Sequence, residues 1–172
     1  MGKSVNIRRI SLTALMAALI FVLTRVPRVP VPGPGGYIHL GDTGIAFAAC
    51  AFGPWIAMVS GALGTALADV FGFPQWAIFS FVVHGLQGLV MGLIFRKDLD
   101  WGRAVLATVA GVIIVVAGYL VAGAILEGRA AALAEVPFNT IQALSGSVIG
   151  LPLYWAVRQA YPPLENYSER AD

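Results

Sequence analysis

Long apolar segments with almost no charged side chains are the feature that most constrains this chain. Six of them can be recognised, at residues 10–24, 41–52, 55–71, 76–95, 104–126 and 136–157. Charged residues make up only 12% of the 172 residues, whereas soluble domains carry about 25%. Because so small a soluble protein could not bury this much apolar surface, we predict an all-α integral membrane protein with six transmembrane helices in one bundle.

The second segment is the shortest and needs its own explanation. A helix needs about 20 residues to cross a bilayer, and residues 41–52 would rise only about 18 Å at ~1.5 Å per residue. We expect this helix to lie among other helices, to be extended by flanking residues, or to bend. The sequence "FGP" at residues 52–54 predicts a break before the third helix, because proline is tolerated in a first helical turn but not in a helix interior.

The basic residues indicate the orientation of the chain. If the N-terminus is inside and six segments cross, the inner side holds Lys3, Arg8, Arg9, Arg96, Lys97, Arg103, Arg158 and Arg170, and the outer side holds Arg25, Arg28 and Arg129. Such an excess predicts that both termini are cytoplasmic. We predict a single membrane domain over residues 1–172, with residues 159–172 as a flexible cytoplasmic tail. The N-terminus also resembles a signal peptide, but no small-residue cleavage site follows, so we expect a retained first helix.

Polar side chains recur at helical spacing in two of the segments. The fourth segment carries Trp76, Ser80, His84 and Gln87, and the sixth carries Glu135, Asn139, Gln142 and Gly146. In a helix each set lies on one face. In the predicted topology both faces begin at the outer surface, where Asp42 and Asp69 also lie. Since ionisable groups inside a membrane usually serve a function, we predict that the two faces form the walls of one pocket.

The residue types of this pocket indicate the chemistry of its ligand. Aromatic rings such as Trp76 and Phe79 suit stacking on a flat heterocycle, while amides, a histidine and a carboxylate fix its orientation by hydrogen bonds. Since the lining is not strongly cationic, a heavily phosphorylated ligand is not expected. The predicted substrate-binding residues are Tyr37, His39, Asp42, Asp69, Trp76, Phe79, Ser80, His84, Glu135, Asn139 and Gln142.

These residues also have explanations that need no ligand. Trp76 fits an anchor at the membrane interface, and His84 fits a packing residue hydrogen-bonded to a neighbouring helix. Asn139 and Gln142 fit hydrogen bonds between helices. Asp42 fits a cap of the second helix, and the two remaining carboxylates fit the water of the headgroup layer. The clustering of the set, and no single member, supports a binding site.

The stretch "VPGPGGYIHLGDTG", Val31 to Gly44, joins the first two segments on the predicted outer side. Its prolines and glycines are too dense for a helix to start before the second segment. Glycines permit hinge conformations and the prolines stiffen the flanks. We predict a lid over the pocket, with Tyr37 and His39 closing over the ligand, and an ordinary connecting loop is the alternative.

Recognisable catalytic and metal-binding motifs are absent from the sequence. It contains no HExxH, GxSxG, P-loop or CxxC motif and no paired-histidine spacing, and its only histidines are His39 and His84. We therefore expect no catalytic residue, no metal and no cofactor. A net charge of +2 without a dense basic patch argues against nucleic acid as a partner. The single cysteine, Cys50, is expected to be a buried apolar residue.

Several short elements occur in an order that is typical of a known family. Residues 35–95, with "IHLGD", "FGP", "GALGTALAD" and "PQW" in succession, resemble the S component of an energy-coupling factor (ECF) transporter. Residues 133–154, "LAEVPFNTIQALSGSVIGLPLY", resemble the last helix of the same family. The similarity is nearest to the branch for uptake of riboflavin, hydroxymethylpyrimidine or pyridoxine.

The resemblance implies a six-helix protein of the prokaryotic plasma membrane that binds a small vitamin or vitamin precursor on the outer side. It implies as partners a transmembrane T component and two ATPase subunits, which consume the ATP. The alanine motif with which the family contacts the T component corresponds to Ala14 and Ala18. Pairs of small residues at this spacing also serve packing within one bundle.

The leading hypothesis is therefore a substrate-capture subunit without chemistry of its own. The first alternative is a self-sufficient channel or facilitator, which would need a polar path through the inner half, where "LVMGLIF" and "VIGLPLYWAV" are apolar. The second alternative is an integral membrane enzyme with His84, Asp69 and Glu135 as acid–base groups.

Overall fold

Helices account for most of the structure. The computed structural model describes residues 7–26, 29–30, 37–96 and 100–168. Its α-helices are α1 (Ile7–Arg25), α2 (Gly41–Ala51), α3 (Pro54–Val70), α4 (Ala77–Phe95), α5 (Trp101–Leu126) and α6 (Arg129–Ala160). Two 3₁₀ turns (Pro74–Trp76 and Pro162–Tyr167) and an antiparallel pair of short strands, β1 (Val29–Pro30) and β2 (Tyr37–Ile38), accompany them. Each predicted apolar segment coincides with one α-helix.

Four helical stretches are long and apolar enough to cross a membrane. They are α1, residues Pro74–Phe95, α5 and α6. Helix α3 is apolar but shorter. The predictions of a mostly helical protein and of helices long and apolar enough to span a membrane are confirmed.

The short helix α2 lies at the centre of the bundle. It contacts α1, α3, α4 and α6, and every residue in it except Phe47 is buried. Its glycines and alanines let the surrounding helices approach closely. Of the three explanations for its length, the one that places it among other helices is confirmed, and Cys50 is buried within it as expected.

The break between α2 and α3 follows from two residues. Gly53 adopts a φ of 95°, a conformation that residues with a Cβ rarely adopt. Pro54 begins α3, where its missing N–H has no helical partner to lose. The chain therefore reverses within "FGP", as the sequence predicts, and α3 packs between α1 and α4.

One end of the bundle is filled by apolar side chains. The cluster includes Met16, Phe52, Ile56, Met91, Phe95, Leu151 and Tyr154. Its members come from α1, α2, α3, α4 and α6, so these helices pack closely against one another at this end. Any polar site in the bundle must therefore lie towards the opposite end.

The chain after α6 packs against this apolar end. Leu164 is buried in the cluster, and the Arg8 guanidinium donates a hydrogen bond to the backbone oxygen of Asn166 at 2.7 Å. The same guanidinium lies 3.7 Å from the ring centre of Tyr167. These contacts fall within the segment expected to be a flexible tail, while residues 169–172 lie outside the described residues, and the flexibility stays a prediction.

Helices α2 and α6 meet at Gly146. A Cβ at this position would lie 2.8 Å from the backbone carbonyl carbon of Asp42, which is closer than packed side chains approach. The absence of a side chain at Gly146 therefore brings the start of α2 against the polar face of α6.

We expect Gly146→Ala to destabilise the protein by about 1–3 kcal/mol, because the added methyl group meets the backbone of a buried helix. Thermal unfolding of the purified protein in detergent measures the effect. The control is Gly111→Ala, where a Cβ would first meet the flexible Met91 Sδ at 3.0 Å. Equal melting temperatures for the two variants would contradict this account of the α2–α6 contact.

Candidate functional site

A cavity opens at the end of the bundle opposite the apolar cluster. It lies where α3 ends and α4 and α6 begin, and its volume is about 60 Å³. The described residues that line it are Tyr37, Ile38, His39, Asp69, Phe73, Trp76, Ser80, Tyr119, Glu135, Phe138, Asn139 and Gln142.

Most of the predicted binding residues meet at this cavity. Those on its wall are Tyr37, His39, Asp69, Trp76, Ser80, Glu135, Asn139 and Gln142. The two helical faces read from the sequence thus converge, since the cavity walls include Ser80 on α4 and Asn139 on α6. Their role in binding stays a prediction.

Asp42 lies beneath the cavity, not at its mouth as expected. It is 1% exposed, and its two oxygens accept hydrogen bonds from Gln87 Nε2 at 2.7 Å and from Gln142 Nε2 at 3.0 Å. The interpretation of Asp42 as a helix cap is wrong, because the described residues at the start of α2 show no side-chain cap and the N-cap position is Leu40. The carboxylate nevertheless sits in the first turn, where the helix dipole favours negative charge.

His84 also lies below the cavity, one turn further along α4 than Ser80. It is fully buried, with Nδ1 2.8 Å from Gln87 Oε1 and 3.6 Å from an oxygen of Asp42. Because the Gln87 nitrogen donates to Asp42, its oxygen faces His84, so His84 Nδ1 is the donor. His84 is not among the described residues that line the cavity, and it is connected to them through another side chain. Its role in binding stays a prediction.

That connection passes through Tyr119 on α5, a residue the sequence analysis missed. The Tyr119 hydroxyl is 3.1 Å from His84 Nε2 and 2.6 Å from Ser80 Oγ. Ser80 donates in turn to Asp69 at 2.5 Å, and Tyr37 donates to the other Asp69 oxygen at 2.8 Å. A continuous hydrogen-bonded chain thus joins the floor of the cavity to its wall. The signal for Tyr119 was a lone phenol in an otherwise apolar stretch of helix.

Aromatic rings form much of the remaining wall. Trp76 is 8% exposed and its ring centre lies 5.8 Å from that of Tyr119, so it faces the cavity and is not an anchor on the outer surface. Tyr37 and Phe73 stack at 5.3 Å with their planes 26° apart. Phe73 was missed because it lies in a turn outside the helical pattern, and Phe138 and Ile38 were also missed.

Phe79 is a correction to the predicted site. It is absent from the described lining of the cavity, and its ring packs edge-on against Trp76 at 6.5 Å. It lies three residues after Trp76 in the sequence, on the side of the indole away from the cavity. Phe79 therefore supports the position of the indole and is not placed to stack on a ligand.

Two carboxylates of the wall are buried, which rules out the headgroup-water explanation for them. Asp69 is 5% exposed and Glu135 is 8% exposed. The oxygens of Asp69 accept the hydrogen bonds described above. Glu135 Oε1 has no hydrogen-bond partner among the described residues.

His39, Asp42 and His84 place ligand-type atoms within 4.8 Å of one another. All three residues already take part in hydrogen bonds: His39 Nδ1 accepts from the backbone N–H of Gly41 at 3.1 Å, and the other two residues are bonded as given above. A metal ion would have to displace these bonds. The expected absence of a metal stays a prediction.

The predicted lid is described only in part. Residues 31–36 lie outside the described residues. The following residues, Tyr37 and Ile38, pair with Val29 and Pro30 as strands and lie on the cavity wall.

A second surface carries the predicted partner contacts. Ala14 and Ala18 are both exposed on α1. Ala14 lies in a groove between α1 and α3, lined by Arg9, Ile10, Thr13, Ala14, Trp55, Ile56, Val59 and Leu63. The two alanines are thus on the outside of the bundle and available to another protein.

Apolar helices of spanning length around a buried cavity lined by polar and aromatic side chains define a multi-pass membrane protein. Three solved structures share this fold at 18–20% sequence identity. An S component of a bacterial ECF transporter gives a TM-score of 0.71 over 91% of this chain and 98% of that chain. FolT bound with folic acid gives 0.64 over 94% and 98%, and an S component for biotin gives 0.60 over 89% and 94%.

Sequence comparisons agree with the fold. The chain is 37% identical over 145 residues to an uncharacterised protein of Pyrococcus woesei, covering 84% of this chain and 98% of that protein. It is 34% identical over 146 residues to the thiamine precursor transporter HmpT of Lactococcus lactis subsp. cremoris, covering 84% of each chain. The family model for the S component of ECF-type riboflavin transporters matches residues 4–159. The chain belongs to this family of ECF transporter S components.

Asp42→Asn is expected to destabilise the protein by about 1–3 kcal/mol, because an amide nitrogen would face one of the two glutamine donors and leave it without an acceptor. Thermal unfolding in detergent measures the change. Asp100→Asn is the matched control, since Asp100 is the exposed N-cap of α5 and Asn caps helices as well as Asp does. If the two variants melt together, the buried network does not stabilise the fold as described.

Proposed function

We propose that this protein captures a small water-soluble vitamin or vitamin precursor for ATP-driven uptake by partner subunits. The observation that carries the proposal is the cavity itself, which combines aromatic rings with hydrogen-bonding groups in a bundle that is otherwise apolar. Membership of the S component family supports the same function. The protein would hold its ligand without changing it, so we infer that it is not an enzyme and needs no cofactor.

The lining supports a flat and unphosphorylated ligand. Trp76 and the stacked pair of Tyr37 and Phe73 offer aromatic faces, and Asn139 and Gln142 offer amides. None of the described residues on the cavity wall is Lys or Arg, so a phosphate group would find no cation there. Pyridoxine, hydroxymethylpyrimidine or a similar heterocycle fits these requirements. The relative HmpT is named a thiamine precursor transporter, which agrees with a ligand of this kind.

We further propose six membrane crossings in a prokaryotic plasma membrane, with both termini in the cytoplasm and the cavity open to the outside. In support, Arg8 and Arg158 lie at the apolar end of the bundle with the chain after α6, while Arg25 and Arg129 lie at the cavity end. Basic residues are commoner on the cytoplasmic side. Tyr37 and His39 on the cavity wall would then close over the ligand at the outer mouth.

The partners follow from the same proposal. The exposed alanines of α1 would contact a transmembrane T component, which two ATPase subunits would drive. Ala14 and Ala18 leave room for a close helix contact, because small side chains let two backbones approach.

A self-sufficient channel is disfavoured by packing. Solute crossing the bundle would have to pass the buried apolar cluster that includes Phe95, Leu151 and Tyr154. Among the described residues, the buried polar network lies on the other side of that cluster. Uptake into liposomes that contain this chain alone would favour a channel.

The function is tested by mass spectrometry of small molecules released from the purified protein, followed by calorimetry with a panel of vitamins and precursors. Trp76→Ala is expected to weaken ligand binding by about tenfold or more, since an aromatic contact with its buried area is worth over ~1 kcal/mol. Trp101→Ala is the control, because Trp101 is 76% exposed at the far end of the bundle. A stably folded protein that binds nothing in the panel would overturn the proposal.

Ala14→Leu is expected to abolish co-purification with a co-expressed T component and its ATPases while ligand binding is kept. The added isobutyl group would hold the partner helix away from α1. Ala117→Leu serves as the comparison, because Ala117 is exposed on α5, away from the groove. Unchanged assembly of the Ala14 variant would show that the T component binds elsewhere.

A further inference from the structure

Glu135 stands out among the acidic residues of the cavity. It lies near the start of α6, lines the cavity and is 8% exposed. Its Oε1 is closed off from solvent and has no hydrogen-bond partner among the described residues. Buried polar atoms are nearly always hydrogen-bonded, so an unpartnered carboxylate oxygen on a cavity wall indicates a missing donor.

Asp42 and Asp69 do not share this property, and Glu127, whose Oε2 also lacks a partner among the described residues, is not on the described cavity wall. Asp42 accepts from two glutamine nitrogens, and Asp69 accepts from Tyr37 and Ser80. Both are therefore supplied with donors by the protein itself. Glu135 is the carboxylate of the described cavity wall with an oxygen that none of the described residues supplies with a donor.

The charge of the wall restricts the ligand further. Asp69 and Glu135 are on it, and none of its described residues is Lys or Arg. In so buried a site the two carboxylates repel an anion and attract a positive charge. The cavity therefore favours a ligand that is neutral or cationic.

We propose that Glu135 selects a flat nitrogen heterocycle by accepting hydrogen bonds from N–H groups at the edge of its ring, as on an amino-substituted pyrimidine. This inference rests on the proposed function and names the substrate class of the same site. A carboxylate has no proton to donate, so it accepts from an amino group and repels a carbonyl oxygen in the same place. The same preference is known for carboxylates that meet the amino edge of a nucleobase. Asn139 and Gln142, on the same face of α6, supply the groups that meet the rest of the ring.

The test compares two probes that differ at one position. These are 4-amino-5-hydroxymethyl-2-methylpyrimidine and its 4-oxo counterpart, measured by calorimetry beside the phosphate ester of the amino compound, pyridoxine and riboflavin. The wild-type protein is expected to bind the amino compound at least about tenfold more tightly than the oxo compound or the ester, as expected for a hydrogen bond to a charged group. In Glu135→Gln the amide both donates and accepts, so the preference for the amino compound should fall to within about threefold.

Asp100→Asn is the control. It removes a carboxylate charge at the exposed N-cap of α5, away from the cavity, and Asp100 is not among the described residues on the cavity wall. This variant should keep the wild-type preference within about twofold. Melting temperatures of both variants establish that each is folded.

The possible results distinguish the role of Glu135 from the proposed function of vitamin capture. If the wild type binds pyridoxine or riboflavin but does not distinguish the amino and oxo compounds, the role of Glu135 is refuted and vitamin capture stands. If folded Glu135→Gln keeps the wild-type preference, the role of Glu135 is likewise refuted. If the folded wild type binds no member of the panel, both proposals fail.

Discussion

The burial of the Asp42 carboxylate is the constraint on which the rest of the structure depends. An ionised group inside a membrane bundle is stable only if hydrogen bonds replace its water. Gln87 from α4 and Gln142 from α6 provide them, so one side chain ties α2 to both neighbours. The contact at Gly146 lets the backbones come close enough for these bonds to form. The network defines the floor of the cavity and keeps α2 at the centre of the bundle.

The bundle is divided into two halves by the kind of side chain that fills it. One half is an apolar cluster closed by the chain after α6, and the other holds the hydrogen-bonded network and the cavity above it. Below the cavity, a ligand would meet first the buried hydrogen-bonded network and then the apolar cluster. This arrangement suits retention of a solute in the polar half of the bundle.

The polar groups of the site differ in whether the protein itself supplies their hydrogen-bond partners. From Asp42 through His84, Tyr119 and Ser80 to Asp69, each polar side chain has a hydrogen-bonding neighbour within the bundle. Such matched networks hold their members in fixed positions. Glu135 Oε1, by contrast, has no partner among the described residues. The hydrogen-bonded part of the network therefore fixes the shape of the site, and we propose that Glu135 takes part in recognising the ligand.

Sequence periodicity by itself determined the helices and the two polar faces, because polar residues three or four apart must share one side of a helix. It could not determine how deep in the bundle each of these residues lies. His84 and Asp42 lie below the cavity, and Phe79 stands behind Trp76, since packing against neighbouring helices decides which members of a face reach open space. Nor could it find Tyr119 and Phe73, whose places on the wall come from α5 and from a turn with no polar pattern. The chain sets which groups face inward, while the tertiary contacts decide which of them are already hydrogen-bonded and which remain for a ligand.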